Sequence, residues 1–261
     1  MTFEFQANTH PGRTRENNED SVVFDSALQI GVLADGMGGY NAGEVASGMA
    51  TDLILGALCK DLAGANGSGE GAQLHNAIED AVLKANTSIY EAARNNQQYS
   101  GMGTTLVMGV FKPERIVIGH VGDSRCYRLR DRSLALLTRD HSLLQEQLDA
   151  GLITPLQAAN SGNRNLVTRA LGVEDAVLLD LREHAVMPAD LFLLCSDGLN
   201  DMVTDDEITA ILNRKESLSR KADALIEAAN AHGGRDNVSV LLVQAPGRRA
   251  RRGLMARLLN H

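Results

Sequence analysis

An aspartate at the end of an apolar run is the first position in this sequence whose surroundings suit chemistry. Asp35 follows residues 30–34, whose aliphatic and β-branched side chains predict a short buried strand that ends at Gly36. Glycines 36, 38 and 39 let the backbone take positive φ and approach a bound group closely. A carboxylate beside exposed carbonyl oxygens suits Mg²⁺, Mn²⁺ or Ca²⁺. An ordinary turn, in which the aspartate caps its own backbone, has the same pattern.

Acidic residues recur at the ends of other predicted strands. Asp197 follows the apolar run 190–195 and precedes a glycine, which repeats the arrangement at Asp35. Asp236 comes two residues after the pair Gly233-Gly234 and just before the apolar run 238–243, and Asp123 follows the run 115–121. Each aspartate alone fits a turn, but the repetition favours a shared cation site.

The charged segment 13–21, RTRENNEDS, has two interpretations. Its charge density is typical of a solvated loop. However, Arg15, Glu19 and Asp20 directly precede the predicted strand 22–24 and would therefore be held near its entry.

The remaining elements are predicted from periodicity and capping signals. Residues 141–165 combine two short helices with little apolar periodicity, which indicates a surface lid. The other predictions are helices at 44–62, 72–93, 204–213 (with a Thr204/Glu207 capping box) and 219–232, a loop at 64–71, an antiparallel meander of strands at 104–111, 115–122, 124–131 and 133–140, and strands at 2–8, 166–171, 176–184, 190–195 and 238–243.

Composition limits the class of protein. With 261 residues and 44% hydrophobic content, one large domain is expected over residues 1–246. A net charge of −8 and a pI near 5.4 argue against a nucleic-acid partner. Three cysteines without CxxC spacing favour a reducing compartment, so a cytoplasmic location is expected. No apolar run of about 18 residues is found, so no membrane span is expected.

The basic C-terminal tail, residues 247–261, carries leucines at helical spacing. It could contact an anionic membrane surface or a partner, but a segment this short binds a membrane weakly, and a disordered or loosely docked tail is favoured.

Taken together, the motifs resemble one family, the metal-dependent type 2C Ser/Thr protein phosphatases, in its bacterial branch. They span almost the whole chain in order: Arg15-x-x-Asn18-Glu19-Asp20, Asp35-Gly36-x-Gly38-Gly39, Gly122-Asp123-Ser124-Arg125, Ser196-Asp197-Gly198 and Gly234-x-Asp236-Asn237. The resemblance implies an α+β fold, a four-layer α-β-β-α sandwich with two central antiparallel sheets flanked by helices.

The resemblance also implies a role for each matching residue. Asp35 would bridge two metal ions, and the Gly36 carbonyl would bind one of them. The remaining implied roles are metal ligands at Asp197 and Asp236, a ligand through water at Glu19, an orienting neighbour at Asp20, a third and weaker metal site at Asp123, and a grip on the substrate phosphate at Arg15, whose planar guanidinium suits that task.

The implied reaction is hydrolysis of phosphoserine and phosphothreonine in phosphoproteins. Two Mn²⁺ or Mg²⁺ ions, with a possible third, would neutralise the phosphate dianion and lower the pKa of a bridging water. The implied partners are phosphoprotein substrates and a cognate bacterial Ser/Thr kinase, and the chain is expected to act as a monomer.

One position departs from the family pattern. Eukaryotic relatives place a histidine, a candidate general acid, two residues after the bridging aspartate, where this chain has Met37. Methionine cannot donate a proton. Water bound to the metals, another group in the site or, less favoured, His141 would then serve.

Two rival interpretations remain. Cys126 and Arg132 have the Cys-x5-Arg spacing of phosphatases that use a thiolate, although the segment has no glycine-rich amide cradle and alternates like a strand. Alternatively, the fold could bind phosphoproteins without hydrolysing them. The presence of Asp35, Asp197 and Asp236 argues against that loss of activity.

The lid at 141–165, including Ser161, is predicted to control substrate access. Deleting its tip should alter activity on phosphopeptides much more than activity on a small aryl phosphate, because only the larger substrate would meet the lid. Steady-state rates on the two substrates test this, and equal effects would contradict the hypothesis.

Overall fold

The computed structural model describes residues 2–39, 42–64, 71–159 and 166–247. Within them, the first sheet is antiparallel and has the order β1-β11-β10-β7-β8. Its strands are β1 (Glu4–His10), β7 (Arg125–Arg130), β8 (Ser133–Leu136), β10 (Leu191–Cys195) and β11 (Val238–Gln244).

The second sheet is also antiparallel, with the order β2-β3-β5-β6-β9 and the two-residue strand β4 paired to β3. Its strands are β2 (Asp20–Asp25), β3 (Ile30–Met37), β4 (Gly103–Thr104), β5 (Leu106–Lys112), β6 (Arg115–Val121) and β9 (Asp180–Ala185).

Helices cover the outer faces of both sheets. The two long helices, Ala42–Gly64 and Gly71–Asn95, pack their apolar sides on the second sheet. The helices Asp205–Leu212 and Leu218–Ala231 pack on the first. The helices are α1 (Ala42–Gly64), α2 (Gly71–Asn95), α3 (Leu143–Asp149), α4 (Pro155–Ala159), α5 (Asp197–Asn200), α6 (Asp205–Leu212) and α7 (Leu218–Ala231).

A third apolar cluster lies between the sheets. Phe111 of β5 stands with its ring centroid 5.5 Å from that of Phe192 in β10, and Leu33 and Leu241 belong to the same buried cluster. Aligned sheets pack about 10 Å apart through such interdigitated side chains. The predicted four-layer α-β-β-α sandwich is confirmed.

Several element predictions hold. Helix α2, predicted at 72–93, buries one apolar face, which consists of Leu74, Ile78, Ala81, Val82, Ala85 and Ile89. Helix α6 begins with the predicted capping box, in which Thr204 and Glu207 bond reciprocally. Helices α3 and α4 are the two short helices predicted within residues 141–165. Leu152, between them, and Leu156, in α4, are about three-quarters exposed.

Three predictions about strands were wrong. Strand β3 does not stop at Gly36 but runs through Asp35 and Gly36 to Met37, because β4 and the backbone of Glu19 supply partners there. The four strands after residue 103 are not one meander: β5 and β6 lie in one sheet and β7 and β8 in the other, with the crossing at Gly122. Residues 166–171 form only isolated bridges.

One helix satisfies the length and composition test for a membrane span, contrary to the expectation that no stretch would. Residues 42–62 of α1 have a mean hydropathy of 1.2. The apolar side chains of Ala46, Ala50, Ile54 and Leu58 are fully buried against the second sheet and α2. The high hydropathy of this helix is therefore explained by its place in the core. The loop at 65–70, Ser161 and the tail from residue 248 lie outside the described residues.

Candidate active site

Carboxylates from both sheets meet at one end of the sandwich. Asp20, the first residue of β2, is paired directly with Asp35 near the end of β3. Asp197 opens α5 immediately after β10, and Asp236 directly precedes Asn237 and β11. The sheets are linked here by Ser196, whose Oγ donates to Asp20 Oδ2 at 2.8 Å.

The acids act strongly on one another. Burial and then the charges of Asp20, Asp197, Asp123 and Asp236 raise the pKa of Asp35 well above its ordinary value. Burial raises the pKa of Asp197 in the same way, with Asp123 the next largest cause. Like charges in a poorly solvated place disfavour ionisation, so the cluster calls for positive charge.

Two further aspartates share this environment. Burial raises the pKa of Asp20 to about 6, against hydrogen bonds from serines that lower it. Burial, and then the charge of Asp140, raises the pKa of Asp123 to about 6. Asp20, Asp35, Asp123, Asp197 and Asp236 are thus gathered as the sequence motifs implied.

Gly36 is required by close packing. A Cβ on Gly36 would lie 2.1 Å from the Gly43 carbonyl oxygen at the start of α1 and 2.6 Å from that of Glu19. The Gly36 N–H donates to the Glu19 carbonyl at 3.1 Å. The expectation that Gly36 supplies a positive φ was wrong, since Gly36 has no positive φ and continues β3.

Glu19 lies at the edge of the cluster. Burial raises the pKa of its carboxyl group, whereas the neighbouring Arg15 lowers it. Arg15 donates from Nη2 to Asp236 Oδ2 at 2.7 Å, and its side chain is 53% exposed. The charged segment 13–21 is therefore attached to the site through Arg15 and Glu19 and is not a free solvated loop.

The donor set fits hard cations, although its present side-chain arrangement is not a finished metal site. Over the described ranges, no group of three or more Asp, Glu, His or Cys side chains stands ready to hold a metal ion as placed. Asp236 is bonded to Arg15, and Asp20 Oδ1 is buried without a hydrogen bond among the described residues. Mutually repelling carboxylates with an orphaned oxygen are oxygen donors of the kind that Mn²⁺ and Mg²⁺ take.

Asn237 is a residue whose role the sequence analysis did not identify. Its Oδ1 accepts from the Glu19 N–H at 2.7 Å, and its Nδ2 donates to the carbonyls of Pro11 and Asn17 at 3.0 and 2.8 Å. One buried amide therefore attaches the loop that carries Arg15 to the segment that carries Asp236. The Asp-Asn pair was visible in the sequence, but its three partners are more than 200 residues away.

The thiolate interpretation of Cys126 and Arg132 is wrong. Cys126 is fully buried in β7, and burial raises the pKa of its thiol, whereas Arg132 lies in the turn beyond the other end of that strand. Four residues of strand, roughly 13 Å, and then the turn at Asp131 lie between the two. A thiolate nucleophile needs a lowered pKa and a nearby cradle.

His141 is buried, and both of its ring nitrogens face protein groups. Nδ1 accepts from the Gly122 N–H at 3.1 Å, and Nε2 lies 3.6 Å from Asp180 Oδ2. These contacts support a structural role for His141 rather than a role as proton donor.

The raised pKa of Asp20 predicts that acid stabilises the metal-free protein relative to an Asp20→Asn variant. An acid whose folded pKa exceeds its unfolded pKa costs stability as pH rises from about 3.8 to about 6, because the folded state binds the proton more tightly. In EDTA, lowering the pH from 7.5 to 5 should favour the wild type over Asp20→Asn by about 1–2 kcal/mol of unfolding free energy. Urea unfolding at both pH values measures this, and a difference that does not change with pH would contradict it.

Asn237→Ala should lower both stability and activity. It leaves the Glu19 N–H and two carbonyls without partners, at about 1–3 kcal/mol of unfolding free energy, and frees the loop that carries Arg15. Asn213→Ala is the matched control, since Asn213 also donates to two carbonyls but lies at the end of α6. Phosphatase rates should fall by about tenfold or more in Asn237→Ala only. Equal loss of activity in both variants would show that general destabilisation is responsible.

Comparison with known proteins gives a consistent result. The family model described as protein phosphatase 2C matches residues 10–238. The chain is 41% identical over 247 residues to the serine/threonine phosphatase stp of Listeria welshimeri, covering 94% of this chain and 96% of that protein. It is 39% identical to the serine/threonine protein phosphatase PstP of Mycobacterium tuberculosis, covering 93% of this chain and 45% of that longer protein.

Solved structures agree with the family match. The crystal structure of M. tuberculosis PstP/Ppp superimposes with a TM-score of 0.85 at 36% identity, covering 94% of this chain and all of that one. The PstP catalytic domain in complex with two manganese ions superimposes with a TM-score of 0.78 at 35% identity, covering 93% and 98% of the two chains. Because the family model and these relatives match nearly the whole sequence, this chain belongs to the protein phosphatase 2C family.

Proposed function

We propose that the chain is a metal-dependent protein phosphatase that hydrolyses phosphoserine and phosphothreonine in phosphoproteins. The observation that carries the proposal is the cluster of carboxylates whose charges raise one another's pKa where the two sheets meet. Such a cluster favours bound cations, and cations are what a phosphate dianion needs before a nucleophile can approach it.

Each residue of the site has a proposed role. Asp35, the Gly36 carbonyl, Asp197 and Asp236 would hold two Mn²⁺ or Mg²⁺ ions, with Glu19 acting through water. Asp20 would orient this set, since Ser196 and the strand pairing with Asp35 fix its position. Asp123 would contribute to a third, weaker ion. When bound, the ions supply charge neutralisation and a water that is nucleophilic near neutral pH.

Arg15 would change partners during the reaction. Its guanidinium now bonds Asp236, a proposed ligand, and it is half-exposed at the edge of the cluster. Because a carboxylate engaged with a cation attracts a guanidinium less, we infer that Arg15 turns to the substrate phosphate, where its planar fork can bind two oxygens. In-line attack by water on phosphorus would then break the bond to the Ser or Thr oxygen, which leaves as an alkoxide and takes up a proton. Met37 cannot donate this proton, and the contacts of His141 do not favour it as the donor.

The cellular setting follows from the same proposal. The natural partners would be phosphoprotein substrates and a Ser/Thr kinase whose products the enzyme reverses. Residues 1–246 would form the catalytic domain, with the flap at 141–165, and the protein would work as a monomer in the cytoplasm.

Hydrolysis of a phosphothreonine peptide tests the function. The wild type should be active with Mn²⁺ and inactive with EDTA, Asp197→Ala should lose most activity because a proposed ligand is removed, and Cys126→Ser should remain active. Phosphate release under the four conditions measures this. Binding of the phosphopeptide without hydrolysis under any metal condition would instead support a binding module.

A further inference from the structure

We propose that His141 is a positioning residue that holds the turn carrying Asp123 and the base of the flap in one fixed arrangement. It would act through a hydrogen bond from its ring to the backbone of that turn. This inference rests on the proposed function, because the turn matters for catalysis only if Asp123 serves a bound cation.

The contact between His141 and Gly122 is reciprocal. The His141 N–H donates to the Gly122 carbonyl at 2.7 Å, and the Gly122 N–H donates back to His141 Nδ1 at 3.1 Å. Gly122 is buried, and His141 is 7% exposed. A buried N–H without an acceptor destabilises the fold, so this ring nitrogen has a substantial effect on the turn.

The turn cannot easily find another position. Gly122 has a φ of +105°, and a Cβ there would lie 2.7 Å from Thr105 Cγ2, so the turn is pressed against Thr105. Thr105 Oγ1 bonds Ser124 Oγ at 2.7 Å and accepts from the Asp35 N–H at 3.0 Å. Asp123 therefore lies between two residues that contact Thr105, and Thr105 in turn bonds the backbone of Asp35.

On its other side, His141 is bonded to the end of the flap. The Thr168 N–H donates to the His141 carbonyl at 2.8 Å, and the Leu143 N–H donates to the Leu166 carbonyl at 2.9 Å. Ser142 forms a β-bridge with Val167 and caps α3. Both ends of the flap thus meet at His141, so that a continuous set of bonds joins the flap base to Asp35.

The ring is held in the orientation that this role needs. Its other nitrogen, Nε2, faces Asp180 Oδ2 at 3.6 Å, and its face packs on His120 with ring centroids 4.8 Å apart. His120 is almost fully buried, and burial followed by the charge of His141 lowers the pKa of His120 to about 3. A neutral His141 with a proton on Nε2 and a lone pair on Nδ1 satisfies both contacts.

Three substitutions of His141 distinguish the roles of its two ring nitrogens. Asn places an acceptor where Nδ1 stands, Gln places a polar group nearer Nε2, and Ala removes both. We expect His141→Asn to preserve the turn and His141→Gln and His141→Ala to release it. Ser142→Ala is the matched control, since it removes the cap of α3 and leaves the Gly122 bonds in place.

The first readout is hydrogen exchange of the Gly122 amide in metal-free protein, which needs no activity. Exchange should be about fivefold to tenfold faster in His141→Gln and His141→Ala than in the wild type, and near the wild-type rate in His141→Asn and Ser142→Ala. Should His141→Ala fail to fold, the comparison of Asn with Gln still decides the proposal. Equal exchange rates in the Asn and Gln variants would overturn it.

The second readout is the Mn²⁺ concentration that gives half-maximal hydrolysis of a small aryl phosphate. It should rise about tenfold in His141→Gln and return to near the wild-type value in His141→Asn. Loss of turnover in His141→Asn with an unchanged Mn²⁺ requirement would overturn the proposal and identify His141 as a proton donor. An inactive wild type would refute the proposed function instead, while the exchange comparison would still report on the Gly122 bond.

Discussion

The repulsion among carboxylates at one end of the sandwich is the constraint that the rest of the structure must satisfy. Asp20, Asp35, Asp123 and Asp197 are each placed where burial raises the pKa of the acid and where the neighbouring acids raise it further. Burying acids close together does not stabilise a protein, and such clusters are typical of functional sites. The fold therefore has to hold these groups together against their own charge.

The apolar clusters provide that restraint. The layer between the sheets and the two layers beneath the outer helices are built from fully buried aliphatic and aromatic side chains. Asp20 and Asp35 belong to strands of the second sheet, and Asp197 and Asp236 lie beside strands of the first, so packing of one sheet on the other sets the distance between these two pairs. Hydrogen bonds between the two sheets also hold the acids in place. Ser196, for example, donates to Asp20 and accepts from the Ser239 N–H.

Polar residues outside the acidic cluster fix the segments that carry it. Asn237 attaches the loop bearing Arg15 and Glu19 to the segment that carries Asp236, and Thr105 binds both the backbone of Asp35 and Ser124 beside Asp123. Each holds a segment of the proposed site through hydrogen bonds, which are short and directional. The precision of the site thus depends on ordinary amide and hydroxyl groups that lie just outside it.

The sequence by itself identified the acidic residues that are proposed to carry the chemistry and most of the elements that support them. Periodicity located α2, α6, α7 and the buried strands, since local hydrophobic patterns reflect which face is buried. The acidic motifs recur in order along the chain, and the repetition of carboxylates favours a shared site for hard cations. A resemblance to the family supplied the roles, which no local pattern could have assigned.

Only the tertiary structure decided what depends on contacts between distant segments. Strand β3 continues past Asp35 because β4 and Glu19 pair with it, and the chain passes from one sheet to the other at Gly122, although the strands before and after look like one meander. The partners of Asn237 and His141 are likewise invisible in the sequence. Hydrogen bonds between residues far apart in the chain leave no periodic signal, so their positions follow from the packing of the sheets alone.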